Sequence, residues 1–123
     1  MAALRRIDPA TDLKYVMYAL ALVKRELRGR VPLIGFSGSP FTLLAYMVEG
    51  QGSKNFAQVK RLIYGNPEMA HQLLENIADA VSGYLRKKIE AGADAVQLFD
   101  TWACILSPDD FKEFSMRYLE KVI

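Results

Sequence analysis

From Asp12 to about Leu27, apolar residues recur at three- and four-residue spacing: Leu13, Val16, Met17, Leu20, Val23 and Leu27. That spacing predicts an amphipathic helix, and Gly29 stands where its stop is expected. Residues 1–11 read as an irregular lead-in, with Asp8-Pro9 as a turn. The pattern then changes to a short apolar run, Val31 to Phe36, of strand length and composition. A polar turn follows, Ser37-Gly38-Ser39, and from Pro40 the chain is predicted helical to about Val48. Serine just before proline is a helix-start signal, because serine caps the first free N–H groups and proline at the first position gives up none that is needed. A helix beginning directly at a strand's carboxyl end offers free N–H groups and a positive helix end, which suits an anionic ligand. Plain strand–turn–helix packing has the same pattern.

The run Gly50-Gln51-Gly52-Ser53-Lys54 lacks the Gly-Lys-Ser/Thr of a phosphate-binding loop and reads as an ordinary loop. Phe56 to Tyr64 predicts a short helix closed by Gly65-Asn66. Asn66, Pro67 and Glu68 then supply cap, first position and acidic first turn for the longest helix. Its stripe is Leu73, Leu74, Ile77, Ala80, Val81, Tyr84, Leu85 and Ile89, and Gly92 ends it. Ala95 to Phe99 predicts a second strand. Ser107-Pro108-Asp109-Asp110 repeats the start signal for a final helix carrying Phe111, Phe114, Tyr118 and Leu119. Strands alternating with helices predict the α/β class, with a parallel sheet covered by helices.

Composition adds little to this and excludes more. The chain has 123 residues, 51% hydrophobic and 24% charged, enough for one ordinary globular core. Its 16 basic and 14 acidic residues leave a net charge of +2, too small to imply a nucleic-acid partner. Arg86-Lys87-Lys88 reads as a solvated helix face. One cysteine excludes an internal disulfide framework and fits a reducing compartment. No apolar run reaches membrane-spanning length, and the start Met-Ala-Ala-Leu-Arg-Arg lacks a signal peptide's apolar core. The expectation is a cytoplasmic protein without a membrane partner.

Two blocks go further. Pro32-Leu33-Ile34-Gly35-Phe36-Ser37-Gly38-Ser39-Pro40-Phe41-Thr42-Leu43, with Tyr46-Met47-Val48-Glu49-Gly50 after it, resembles the uroporphyrinogen decarboxylase family. Gly92-Ala93-Asp94-Ala95-Val96-Gln97-Leu98-Phe99-Asp100-Thr101-Trp102-Ala103 is similar to the same family at the right separation. The resemblance implies an eight-stranded (β/α)8 TIM barrel, a fold that typically takes ~250 residues. The chain is therefore expected to be a partial barrel, about two strands with their covering helices: residues 1–123 as an internal segment of a single domain, incomplete at both ends.

Ligand sites of such barrels lie at the strands' carboxyl ends, where both blocks fall. Alternation puts Gln97, Phe99 and Thr101 on one strand face and Val96, Leu98 and Asp100 on the other. The aliphatic pair Val96 and Leu98 should face the helices, leaving Phe99 and Thr101 toward the barrel axis. Phe36 shares its face with Ile34 and Pro32 and should reach the axis too. By resemblance, Tyr46 lies beside the substrate and its hydroxyl would donate to a carboxylate; a core tyrosine is the alternative. Thr101 matches a serine-or-threonine position of the family, and its hydroxyl would bond a carboxylate or a catalytic group rather than its own turn. Phe36 and Phe99 would wall a macrocycle; ordinary core packing is the alternative. Trp102 is assigned no role. His71, near the start of the longest helix, reads as surface. Cys104 stands where the family usually has glycine, which puts the loop geometry there in question; no base stands beside it to make it a nucleophile, and with one remote histidine it makes no zinc site.

The implied activity is decarboxylation of the four acetate side chains of uroporphyrinogen to give coproporphyrinogen, in haem biosynthesis, with no metal or organic cofactor and a homodimer in the full-length enzyme. An electron-rich pyrrole protonated at carbon is itself the electron sink for loss of CO₂, so the protein has to hold the macrocycle, stabilise the cation and position an acid. The family's catalytic aspartate, its early arginines and its late histidine match nothing in this chain, and Asp12, Asp94 and Asp100 do not fit the aspartate's motif. The chain alone is expected to be inactive. Two alternatives remain: a corrinoid or coenzyme-M methyltransferase of the same fold, and a non-catalytic half-barrel module.

Overall fold

A computed structural model describes residues 5, 7–50 and 55–123. The elements are α1 (Pro9–Asp12), α2 (Lys14–Leu27), β1 (Ile34–Gly38), α3 (Pro40–Glu49), α4 (Ala57–Gly65), α5 (Pro67–Glu90) and β2 (Ala95–Phe99). A 3-10 turn, Ala103–Ile105, precedes a helical run made of α6 (Pro108–Phe111), a π-helical turn (Lys112–Met116) and α7 (Arg117–Val122). β1 and β2 pair as a two-stranded sheet. The amide of Asp94 donates to Leu33 O and that of Ser39 to Phe99 O, both at 2.8 Å. Partners that advance together along both strands make the pair parallel, as the alternation of strands and helices predicts. The order of elements is as expected, and the differences are local.

Asp8-Pro9 starts a helical turn rather than a plain loop: Asp8 accepts from the Ala10 amide at 3.0 Å, and proline fills the first helical position. This is the start signal of Ser39-Pro40 with aspartate in the cap. The expected helix from Asp12 is broken at Leu13 (φ −120°, ψ 21°), so α2 begins at Lys14. β1 lies later than the apolar run suggests, because Ser37 and Gly38 belong to the strand and not to a turn. Pairing with β2 decides this, since the ladder continues as far as Ser39. Residues 51–54 of the glycine-containing run after α3 lie outside the described residues.

The chain divides into two compact units, residues 1–37 with 80–98 and residues 38–79 with 99–123. In the first, Val81, Leu85 and Ala93 are buried, while α2 buries no residue completely. In β1, Gly35 and Ser37 are buried and Ile34 and Phe36 exposed, the alternation expected of a sheet with one covered face. In β2, Val96, expected beneath the helices, is 38% exposed, and Leu98 is half-buried.

Lys88 corrects the reading of Arg86-Lys87-Lys88 as a solvated face, since it is only 6% exposed. Its Nζ donates to Phe36 O at 2.6 Å and lies 4.2 Å from the Tyr84 ring centroid and 5.1 Å from that of Phe36. A lysine can be buried when its stem packs and its ammonium is bonded. Gly35 makes room: a Cβ there would stand 3.2 Å from Lys88 Cδ.

Asp94 ties the start of β2 to both neighbouring segments of this unit. Its carboxylate accepts from the Leu33 amide at 2.7 Å and from Lys24 Nζ at 2.6 Å. The Leu33 bond first, and then Lys24, hold its pKa below the ordinary carboxylate value. A depressed folded-state pKa means the stabilisation is complete above the unfolded value of about 4 and is lost as pH falls through the folded one. Asp94→Asn should therefore melt lower than wild type at neutral pH, with the gap closing below about pH 4. Thermal melts at stepped pH test this; a gap that stays constant through the acid range would rule it out.

Candidate functional site

The second unit is built on the junction between β1 and α3. Ser39, fully buried, caps α3 by accepting from the Thr42 amide at 3.1 Å. Its hydroxyl donates to Asp100 Oδ1, and Thr42 Oγ1 donates to the same oxygen at 3.3 Å. Ser115, buried in the π-helical turn, donates to Asp100 Oδ2. Thr42 Oγ1 also accepts from the Trp102 amide at 3.3 Å. One carboxylate thus gathers three hydroxyls from the first turn of α3 and from the C-terminal helical run. Alternation along β2 had put Asp100 on the helix-facing side, but the anion expected at this helix start was a ligand. The anion here is Asp100 itself.

α3 leads from this junction to Tyr46, whose ring meets Trp102 edge-on at 5.9 Å between centroids. Phe56 packs on the other partner of this cluster, 4.8 Å from the Trp102 centroid. Trp102 Nε1 is buried and has no acceptor among the described residues. Glu49, at the end of α3, accepts from the amides of Gln58 and Val59 at 2.8 and 3.0 Å. It caps α4, whose own N-terminal residue Phe56 (φ 48°) makes no side-chain cap. The glutamate of Tyr46-Met47-Val48-Glu49-Gly50 therefore has a definite structural task.

The C-terminal run is clasped to α5 and α4 within this unit. His71 Nδ1 lies 2.7 Å from Tyr118 Oη and Nε2 lies 3.0 Å from Glu113 Oε1, with the ring stacked on Phe114 at 4.9 Å. His71 is thus a packed, doubly bonded residue rather than a surface one. Burial pushes the Tyr118 hydroxyl's pKa up. Tyr64 donates to Asp110 at 2.7 Å, and Lys121 pairs with Glu75 and, at 2.7 Å, with Asp79.

Of the residues singled out from the sequence, Tyr46, Phe99 and Thr101 fall in this unit, and Phe36 in the first. Tyr46 and Phe99 are each 44% exposed and Thr101 is exposed. Neither the Tyr46 nor the Thr101 hydroxyl has a hydrogen-bond partner among the described residues. Cys104 lies in the 3-10 turn and is exposed, with its thiol 3.6 Å from Thr101 O. Its backbone is outside the left-handed region, so a side chain is accommodated there without strain. Among the described residues no group of three or more His, Cys, Asp or Glu stands close enough to hold a metal ion. No helix there is long and apolar enough to cross a membrane.

Comparison with known proteins agrees with the two sequence blocks. The family profile described as uroporphyrinogen decarboxylase (URO-D) matches residues 1–123. The chain belongs to the uroporphyrinogen decarboxylase family. It is 54% identical over 121 residues to a uroporphyrinogen decarboxylase of Hahella chejuensis, covering 98% of this chain and 34% of that protein. It is 55% identical over 117 residues to that of Chlorobaculum tepidum, covering 94% and 33%. To that of Cellvibrio japonicus it is 51% identical over 121 residues, covering 98% and 34%. The chain spans about a third of the length of the curated relatives it matches.

Within this family segment the residues that sequence reasoning missed are Asp100, Ser39, Thr42 and Ser115. A signal was present: a carboxylate on the helix-facing side of a strand must find donors, and serine and threonine three apart at a helix start can supply them. Ser39→Ala removes a cap and a charge-assisted bond together and should cost about 2 kcal/mol of unfolding free energy. Asp100→Ala should cost more, roughly 3 kcal/mol, because three buried hydroxyls lose their acceptor. Urea titrations measure both. A Ser39→Ala loss no larger than that of an exposed serine would show that the network does not hold α3.

Proposed function

We propose that this chain forms part of a uroporphyrinogen decarboxylase, which converts the four acetate side chains of uroporphyrinogen to methyl groups to give coproporphyrinogen. The whole-length match to the family carries this reading, and the relatives named above bear that name. The parallel pair β1–β2 would belong to a (β/α)8 barrel of which residues 1–123 are an internal segment. Supporting this are the exposed apolar strand residues, Ile34, Phe36, Val96 and Phe99, between 38 and 59% accessible. Apolar strand surface of this kind calls for cover.

In this reading the Tyr46 and Thr101 hydroxyls donate to substrate carboxylates, and Phe99 offers an apolar surface to the macrocycle. Phe36, in the first unit, is proposed as a further apolar surface on the strength of the resemblance. What supports the two hydroxyls is that both are exposed and unengaged among the described residues, although a threonine at a turn commonly bonds its own backbone. Cytoplasmic location, a homodimer and chemistry without a metal or organic cofactor complete the proposal.

The test is Tyr46→Phe in a full-length decarboxylase carrying this segment. It keeps the ring and removes one hydroxyl, so a lost charge-assisted bond should lower rate or binding by roughly ten- to a hundredfold. Thr101→Val should cost somewhat less, since water or a backbone group can replace a threonine hydroxyl. Wild-type turnover by Tyr46→Phe with a lower melting temperature would make Tyr46 a packing residue instead. Dialysis against a chelator should leave turnover unchanged; loss restored by zinc would favour a methyltransferase of the same fold.

A further inference from the structure

We propose that Asp100 is a positioning residue of the decarboxylase reaction, setting the separation between the Thr101 and Tyr46 hydroxyls. The inference rests on the reading of those two hydroxyls given above and goes beyond it, because the Asp100 carboxylate is bonded to Ser39, Thr42 and Ser115 and would act through Thr101. Three successive attachments hold the backbone around Thr101. Phe99 O accepts from the Ser39 amide at 2.8 Å, the Asp100 side chain accepts from Ser39 and Thr42, and the Trp102 amide donates to Thr42 Oγ1 at 3.3 Å. Every one of these ends on the first turn of α3. Thr101 is the residue between them that is left exposed, with its hydroxyl unbonded among the described residues.

The same helix carries Tyr46. Ser39, Thr42 and Tyr46 are spaced three and four apart, so they share one face of α3 over two turns. At the far end of that face the Tyr46 ring meets Trp102 edge-on. The segment Phe99–Trp102 is thereby fixed to α3 at both ends of the helix face, and Asp100 is the charged group at the centre. Its second oxygen is held by Ser115, in the one π-helical turn of the described residues. Such turns are often found at functional sites. A carboxylate bound by three nearly inaccessible hydroxyls has little freedom to shift, and that rigidity passes to its neighbour Thr101.

A double-mutant cycle separates positioning from plain stability. Asp100→Asn keeps the shape: its amide oxygen can accept from Ser39 and Thr42, and its NH₂ can donate to Ser115. In the full-length decarboxylase its kcat/KM for uroporphyrinogen should fall by about tenfold, against about twofold at most when Thr101 is already Val, since residues acting through one another are not additive. Asn66→Ala, which removes the cap of α5 (Met69 amide to Asn66 Oδ1, 3.1 Å), serves as the stability control. It should lower the melting temperature and leave kcat/KM unchanged. Should Asp100→Asn not fold, Thr42→Val, which cuts the link to Trp102, carries the same cycle. An undiminished effect in the Thr101→Val background would overturn the proposal, as would an Asp100→Asn that melts lower but turns over normally. A silent Thr101→Val would instead overturn the reading of Thr101 itself, whatever Asp100→Asn does.

Discussion

The Asp100 carboxylate, with the hydroxyls of Ser39, Thr42 and Ser115 turned toward it, is the interaction on which the second unit depends. A charge partly withdrawn from water is tolerated where donors replace the lost hydration. Here the donors come from a strand-to-helix junction and a π-helical turn, so meeting the requirement of one side chain also orders both. The positive end of α3 adds to the effect, since an anion at a helix start is favoured. Ser39 acts twice, capping the helix with its lone pair and donating its proton to the carboxylate. The geometry of the exposed Thr101 follows from these bonds rather than from any bond of its own.

The first unit solves the converse problem with a cation. Lys88 is carried inward on α5 and finds the Phe36 carbonyl and the faces of two rings, a combination that compensates an ammonium without a carboxylate. Its stem needs the space left by Gly35. The motif glycine between Ile34 and Phe36 is therefore explained by packing, not by an unusual backbone angle. Likewise Glu49 of the tyrosine-containing block caps α4. Several residues that mark the family in sequence thus hold the scaffold, while the hydroxyls of Tyr46 and Thr101, proposed above to meet the substrate, are exposed.

Hydrophobic periodicity and start signals made the elements legible: Ser39-Pro40, Asn66-Pro67 and Ser107-Pro108 each begin a helix where expected, and Ala95–Phe99 is a strand with the expected ends. The same signal at Asp8-Pro9 also begins a helical turn. The boundaries of β1 were less legible, because a serine and a glycine look like a turn until a neighbouring strand takes their backbone bonds. Of the proposed site residues, Tyr46, Thr101, Phe36 and Phe99 could all be named from the blocks that resemble the family. The partners of Asp100 could not, since Ser115 lies in a helix separated from it by a loop and nothing in its spacing points to a carboxylate.

What the chain determined by itself is therefore local: which stretches are helix or strand, which faces are apolar, and which family the two blocks belong to. Each follows from interactions between residues a few positions apart, or from motifs read in line. Only the tertiary structure decided which polar groups bond to one another. His71 with Tyr118 and Glu113, Lys88 with Phe36, and Asp100 with Ser39, Thr42 and Ser115 are pairings across many residues. A buried polar group must have a partner, but sequence states only the need. The fold supplies the partner, because packing brings distant segments within bonding distance and periodicity carries no information about which ones meet.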